Sequence, residues 1–444
     1  MFARWLGALT PLIRRSRLIC GAGLVLVLLG IGTVIALPHL EAWYHFREAR
    51  HSLGSGDLAA ARRHLACVLE IWPDSVEAHF LAARTARRLE DFDAADEHLK
   101  ECDRLQENPS DEYVLEWGMF RAQNGALAGV EEALRTRVEK KDPHAALILE
   151  ALTKGYLRMY RLVDAQACLR LWLQLEPDNS LAWFLRGQAR QRVHDYANAA
   201  KDYRRVLKLD RANHEARLRL ATCLLETGQT ESAVRQLHYL RRRQPENAEV
   251  LVRLAFAENS RGQVREARRH LDALLAAHPD YGPGLTGRAQ LALDAGRLEE
   301  AEHWLRRAVK VDPADRQANF LLFRCLKLQG NKKAAERQRL KLRQIENRLE
   351  RVIRISNGLM PLRPHDPALH CELGTLFLAM GHEEIGVRWL ESALQLRPNY
   401  GPAHAALADY YRHHRDPRRA AEHRKLAQGV PTPEQAGPDR PPPR

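Results

Sequence analysis

None of the seven cysteines stands in a CxxC pair, which removes the sequence basis for a zinc ribbon or a thioredoxin-like redox centre. The sequence has no glycine-rich phosphate loop, no HExxH and no GxSxG, so the usual signatures of nucleotide binding, zinc peptidases and α/β-hydrolases are missing. His413 and His414 are neighbours and point to different faces of a helix, and His404 and Asp409 are not spaced for a shared site. An active site needs converging polar groups. Finding none, we read the chain as a non-enzyme with no metal and no cofactor.

What is present is a 444-residue chain, 45% hydrophobic and 28% charged, which is ordinary globular composition and enough for one large core or several small ones. The formal net charge is +13. Such a balance favours acidic partners, namely nucleic acid, anionic lipid or acidic protein segments, and an arginine-heavy proteome style produces the same balance.

One segment departs from globular composition. From Leu18 to Leu37 the chain reads LICGAGLVLVLLGIGTVIAL, twenty residues without a charge. As a helix this spans the roughly 30 Å of a bilayer core at about 1.5 Å per residue. Arg14, Arg15 and Arg17 precede it and Pro38 and Glu41 follow it, so the positive-inside rule places residues 1–17 in the cytoplasm and the rest outside, in the periplasm of a bacterial cell. A cleaved secretory signal is the alternative, with Val34 and Ala36 as its small-residue site, but the apolar run exceeds the usual h-region. Both readings export the remainder.

The remainder is periodic. Pro109, Pro143, Pro177, Pro245, Pro279 and Pro313 are separated by 34 or 68 residues, with Arg211 at the skipped position. Pro73 starts the ladder with a two-residue slip, and Pro364 and Pro398 resume it after a phase break. Small residues stand twelve before these positions (Ala61, Ala165, Ala199, Ala233, Ala267, Ala301, Ala335, Gly386) and twenty-four before (Ala49, Gly187, Ala221, Ala255, Ala289, Gly374). Large apolar residues stand eight before, from Leu65 and Leu169 through Tyr203, Leu237, Leu271 and Leu305 to Leu390. Turn glycines stand seventeen before: Gly56, Gly228, Gly262, Gly296, Gly330 and Gly381. Each period is thus expected to be two antiparallel helices, A and B. The glycine ends helix A in a left-handed conformation, the proline ends one unit or opens the next, and the small residues let the two helices approach. One such unit cannot bury its own apolar stripe, so units must stack.

Trp183-Phe184-Leu185-Arg186-Gly187, followed by Tyr196, Ala199, Ala200, Tyr203 and Leu207, resembles the signature of the tetratricopeptide repeat (TPR). The resemblance covers residues 42–430 and implies an all-α, right-handed α-solenoid of about eleven helix-turn-helix units, preceded by the one N-terminal transmembrane helix. Units begin near 42, 76, 112, 146, 180, 214, 248, 282, 316, 367 and 401. The units near 76 and 112 depart from the pattern, with Met119 and Glu131 where small residues are expected in the latter. Residues 42–343 form a first block, 344–366 an insert and 367–428 a second block. Across the break, Arg337 to Ile355 keeps helical apolar spacing, so one B helix is expected to run long and to stop at Asn357-Gly358 and Pro361. The proline-rich residues 429–444 are read as a disordered tail, and the polar stretch Asp416–Gln428 as the solenoid's cap.

The cysteines obey the repeat. Cys223 and Cys325 share one A-helix position, and Cys67 and Cys102 sit on neighbouring B helices. Packed helices lie too far apart for a disulfide, so free and mostly buried thiols are expected. The arginine runs Arg62-Arg63, Arg204-Arg205, Arg241-Arg242-Arg243, Arg268-Arg269 and Arg306-Arg307 all fall on B helices, which in this family form the convex side. Solvated faces with local ion pairs are the plain reading; a surface for anionic lipid or polymer is the sharper one, and nucleic acid is disfavoured for an exported domain.

The resemblance further implies a concave groove lined by A helices, at the second, fifth, ninth and twelfth positions of each unit. These give Phe184, Gln188 and Gln191; Leu218 and Thr222; Val252, Phe256 and Asn259; Gln290; and Phe320, Arg324 and Lys327. Amides and aromatics at such positions suit a peptide or protein ligand, with Leu218 and Val252 the residues most suited to packing between repeats. The expected function is a membrane-tethered scaffold or adaptor. The alternative is an accessory subunit of a cell-envelope export or maturation machine binding an anionic polymer. The partner and the oligomeric state are not legible in the sequence.

Overall fold

The computed structural model describes residues 37–360 and 362–429. The expected membrane span therefore lies outside the described residues except for Leu37, as do Cys20 and all but the first residue of the expected tail. Among the described residues no helix is long and apolar enough to cross a membrane.

The described residues are helical with no strand. The chain divides into two compact units, residues 1–120 and 121–444. The first holds α1 (37–55), α2 (Leu58–Ile71), α3 (Val76–Arg88), α4 (Phe92–Leu105) and most of α5 (Asp111–Gln123). The second continues with α6 (Glu131–Glu139), α7 (Ala145–Arg158), α8 (Leu162–Leu175), α9 (Ser180–Arg192), α10 (Tyr196–Leu209), α11 (His214–Glu226) and α12 (Thr230–Arg243). It goes on through α13 (Ala248–Ser260), α14 (Val264–Ala277), α15 (Gly282–Asp294), α16 (Leu298–Val311), α17 (Arg316–Leu328) and α18 (Lys332–Arg354). Then come α19 (Pro367–Ala379), α20 (Glu383–Leu396), α21 (Gly401–His413) and α22 (Pro417–Ala427). Both sequence blocks beyond residue 120 thus belong to one compact unit, and the division falls inside α5.

Local chemistry sets these boundaries. Asn179, Asn213, Asn247 and Asp315 each cap an A helix by accepting a backbone N–H in its first turn. All six turn glycines named above have positive φ, from 72° at Gly228 to 81° at Gly56. Where the ladder lacks glycine the backbone still turns left-handed, at Glu90, Tyr160, His194 and Arg415. The large apolar positions Leu65, Leu169, Tyr203, Leu237, Leu271, Leu305 and Leu390 are all at most 2% exposed. Each such side chain contributes about 2 kcal/mol by leaving water.

A second regularity is polar. The fourth residue of several A helices bonds the B-helix residue nineteen later: His79 to His98 at 3.0 Å, Arg217 to Gln236 at 2.8 Å, Asn319 to Gln338 at 2.7 Å and His404 to His423 at 2.9 Å. The same side chains donate to the carbonyl six residues before them, at Pro73, Arg211, Pro313 and Pro398. One side chain therefore ties the inter-repeat turn to both helices of its unit.

Glu131, the residue that broke the small-residue pattern, is buried yet satisfied. Arg161 binds both its oxygens, at 2.7 and 2.8 Å, and the Tyr156 hydroxyl donates to it at 2.8 Å. α18 has 23 residues, against 14 in α14 and α16, so one B helix does run long. Its end differs from expectation. Asn357 and Gly358 do not stop it; they lie within a π-helical turn, Ile355–Leu359, closed by a bond from Met360 N–H to the Ile355 carbonyl at 2.8 Å. Ile355 and Met360 are fully buried and Ser356 nearly so, and this packing holds the wider turn in place.

That turn returns the chain to earlier repeats of the same unit. The π turn packs against α8. The Tyr160 and Phe377 rings lie 5.3 Å apart, and Arg158 reaches Glu384 at 3.7 Å. Leu127, Met159 and Arg161 share the wall of a small cavity with His370 and Trp389. The second block is therefore docked on α6–α8 rather than extended beyond α18.

Candidate binding groove

The A helices α11, α13, α15 and α17 together line an open cleft of about 360 Å³. Its apolar wall comprises Val252, Phe256, Tyr281, Pro283 and Leu291, with Leu271 of α14 beneath. Polar groups stand among them: Glu226, Glu249, Arg253, Asn259, Gln290, Asp315 and Gln317. Phe256 is 52% exposed although it is a phenylalanine in mid-helix, because its position faces the cleft and not the neighbouring B helix.

The polar set is partly organised. Gln290 donates to Asp294 Oδ1 at 2.6 Å, and Asn259 donates to Asp294 Oδ2 at 3.4 Å, so the two amides are held side by side across adjacent repeats. Arg253 pairs with Glu249 one turn earlier at 3.6 Å. Burial, and next the Glu249 carboxylate, push the Tyr281 phenol up, which keeps it neutral. Thr286 is 4% exposed, and its hydroxyl has no hydrogen-bond partner within the described residues.

The expected groove residues separate into three groups. Val252, Phe256, Asn259 and Gln290 meet in this cleft. Phe320, Arg324 and Lys327 are exposed on α17, Phe320 by 45%. The rest serve packing more than display. Leu218 and Thr222 are each 4% exposed, and the Thr222 hydroxyl donates to the Leu218 carbonyl at 3.1 Å, so they offer no surface to a ligand. Phe184 lies edge-on to Tyr203 with ring centres 5.8 Å apart, Gln191 accepts from the Tyr203 hydroxyl at 3.0 Å, and Gln188 is half-buried.

Several lining residues were not singled out from the sequence. Glu249, Pro283 and Gln317 each occupy the second position of a unit, which the repeat rule already assigned to the groove. Thr286, at the fifth position of its unit, also obeys that rule, whereas Glu226, Arg253 and Tyr281 fall outside it and come into the cleft only through helix packing.

Four of the five outer arginine runs contain an arginine paired locally with an acid. Arg62 pairs with Asp91 at 3.0 Å, Arg205 with Asp178 at 2.5 Å, Arg269 with Glu266 at 3.1 Å and Arg306 with Glu302 at 2.6 Å. The described cysteines are free thiols, all buried except the half-buried Cys67. Burial pushes Cys102, Cys168 and Cys223 up to about 12 and Cys371 to about 11, which holds them as inert thiols.

Stacked two-helix units with left-handed glycine turns and an A-helix cleft define a helical-repeat protein. The chain belongs to the tetratricopeptide-repeat family. The tetratricopeptide-repeat model matches residues 46–109, 257–319 and 286–339, and the model described as the cytochrome c-type biogenesis protein H TPR domain matches residues 156–283. No curated protein sequence matches the chain. Among solved structures it is similar to PilW, a widely conserved type IV pilus biogenesis factor, at 20% identity over 45% of this chain and 92% of that one, with a TM-score of 0.39. It is similar to human IFIT1 in complex with m7Gppp-AAAA at 16% identity over 80% and 90%, with a TM-score of 0.40. YrrB, a TPR protein with an unusual peptide-binding site, shares 17% identity over 41% and 94%, with a TM-score of 0.34. TPR proteins in general mediate protein–protein interaction.

Proposed function

We propose that this protein is a membrane-tethered scaffold that holds a peptide segment of a partner protein in the cleft of α11, α13, α15 and α17. The observation that carries the reading is Phe256, an aromatic ring half in solvent, flanked by Val252 and by the amides of Asn259 and Gln290. An exposed aromatic among oriented amides has the make-up of a hot spot, apolar area beside groups that bond a peptide backbone. The tether is residues 18–37, with residues 1–17 in the cytoplasm and the repeats outside it. Supporting it, α1 exposes Leu37 at the end of that apolar run and Leu40, Trp43 and Tyr44 immediately after it, each by half or more. Trp and Tyr are the residues favoured at a membrane–water boundary.

The reading is tested by partner capture from the native membrane with wild type and with Phe256→Ala. Wild type should retain partners that the variant loses, and equal recovery from both sinks the groove assignment. Protease accessibility of the repeats in intact and in permeabilised cells tests the orientation.

A second reading, an accessory subunit of an envelope export or maturation machine, is favoured by the match of residues 156–283 to the cytochrome c-type biogenesis protein H TPR domain. Its anionic-polymer form is weakened by the local pairing of the outer arginines. Polymer binding would fall steeply with added salt, whereas groove recognition of a peptide would fall much less.

A further inference from the structure

The chain as a whole carries a formal charge of +13, yet the cleft is acidic. Glu226, Glu249 and Asp315 line it against one guanidinium, Arg253, which is already paired with Glu249. Asp294 stands behind the two amides as a fourth carboxylate. The nearby Arg219 is tied to Glu215 at 2.8 Å and adds no free positive charge. Among these carboxylates lies the apolar wall of Val252, Phe256, Pro283 and Leu291. The nearly buried Thr286 hydroxyl, which lacks a partner among the described residues, lines the same cleft.

We infer that the cleft selects a peptide segment in which an aliphatic or aromatic side chain lies within a few residues of a lysine or arginine. The inference rests on the groove reading above and adds the chemistry of the occupant. The apolar side chain seats against Phe256 and Val252. The basic side chain answers the Glu226 carboxylate on α11 or the Asp294 carboxylate on α15. These carboxylates attract a cationic side chain and repel an acidic one, so the cleft rejects acidic segments as well as recruiting basic ones. The Thr286 hydroxyl and the Asn259 and Gln290 amides are placed for the peptide backbone, which carries no sequence preference.

The test is selection of a random peptide library on the purified full chain, in parallel with Phe256→Ala and with the double variant Glu226→Gln/Asp294→Asn. Circular dichroism of each checks that the helices are intact; both carboxylates are exposed, so their neutralisation leaves the core alone. Expected are peptides with Leu, Phe or Trp near Lys or Arg, lost with Phe256→Ala and weakened roughly tenfold by the double variant, as two solvent-screened charges allow. Peptides that depend on Phe256 but show neutral or acidic flanks would overturn this inference and leave the groove reading standing. Recovery of no Phe256-dependent peptide overturns the groove reading itself.

Discussion

Gly374 of α19 and Gly386 of α20 face each other so closely that a Cβ on either would lie 2.9 Å from the carbonyl oxygen of the other. A Cβ on Gly374 would also stand 2.7 Å from Leu390 Cγ. Both glycines belong to the small-residue positions of the ladder, where the A and B helices come together. Gly374→Ala should therefore cost about 2 kcal/mol by overpacking, read as a lower midpoint in urea unfolding. Gly54 provides the contrast, since it is also helical but has nothing within 4 Å of the place a Cβ would take. Gly54→Ala should be neutral or stabilising by up to about 1 kcal/mol.

His194 stands where the ladder puts Gly228, Gly262, Gly296 and Gly330, and it adopts φ of 60° to make the same turn. A side chain in that region costs about 1 kcal/mol, and the His194 ring is exposed. His194→Gly should raise stability by up to about 1 kcal/mol after loss of its bond to the Tyr196 hydroxyl, and Gly262→Ala should lower it by a similar amount. Thermal unfolding of both variants measures the difference.

Much of this fold could be read from the sequence, for a physical reason. A solenoid repeats its contacts, so turn glycines, small contact residues and buried leucines recur at fixed spacing and announce themselves without tertiary knowledge. Features that break the period were harder to see. The docking of α19 and α20 on α7 and α8 depends on the bend at Ile355–Leu359, which no periodic signal predicts. Glu131 looked like a defect because its partner, Arg161, lies thirty residues away on another helix. The A-to-B polar pairs left a trace, since His45 and His79 are 34 apart and so are His64 and His98. In the groove, apolar character marked both Leu218 and Val252 for packing, yet Leu218 is buried while Val252 lines the cleft, and position alone could not separate Phe256 and Gln290 from the buried Thr222.

Glu116 is fully buried between two arginines. Arg87 Nε donates to one carboxylate oxygen at 2.5 Å and Arg84 Nε to the other at 2.9 Å. Burial alone would raise its pKa, but Arg87 and Arg84 outweigh that and hold it below the usual glutamate range. Glu116→Gln removes the negative charge from between two guanidinium groups, one of them fully buried, and should cost about 3 kcal/mol in the first compact unit. Replacing Glu116 and Arg87 together by methionine should recover a large part of that loss. A double variant as unstable as the single one would show that the ion pair itself, not the buried charge left behind, sets the cost.

His370 gives the second block an acid sensitivity. Burial is the main reason its pKa falls to about 4; the Pro364 carbonyl, which accepts from Nε2 at 2.8 Å, works in the opposite direction, and Arg161 adds to the lowering. Above about pH 6.5 the ring is neutral in both the folded and the unfolded chain, so it has no effect on stability. Between 6.5 and 4 the unfolded chain takes up a proton that the folded one refuses. Stability then falls as pH drops, by about 3 kcal/mol in full at pH 4. Asn319 occupies the equivalent place in α17 and donates to the carbonyl of Pro313. His370→Asn should therefore fold and flatten this part of the profile, which stability measurements at pH 7, 6, 5 and 4 will show.

The most direct measurement places a benzophenone amino acid at position 256, and separately at position 269 on the outer face of α14, and irradiates the protein in its native membrane. A partner seated in the cleft predicts a discrete cross-linked species from position 256 that is missing from position 269. Cross-linking to the same partner with equal yield from both positions, or from position 269 alone, would contradict binding in the groove.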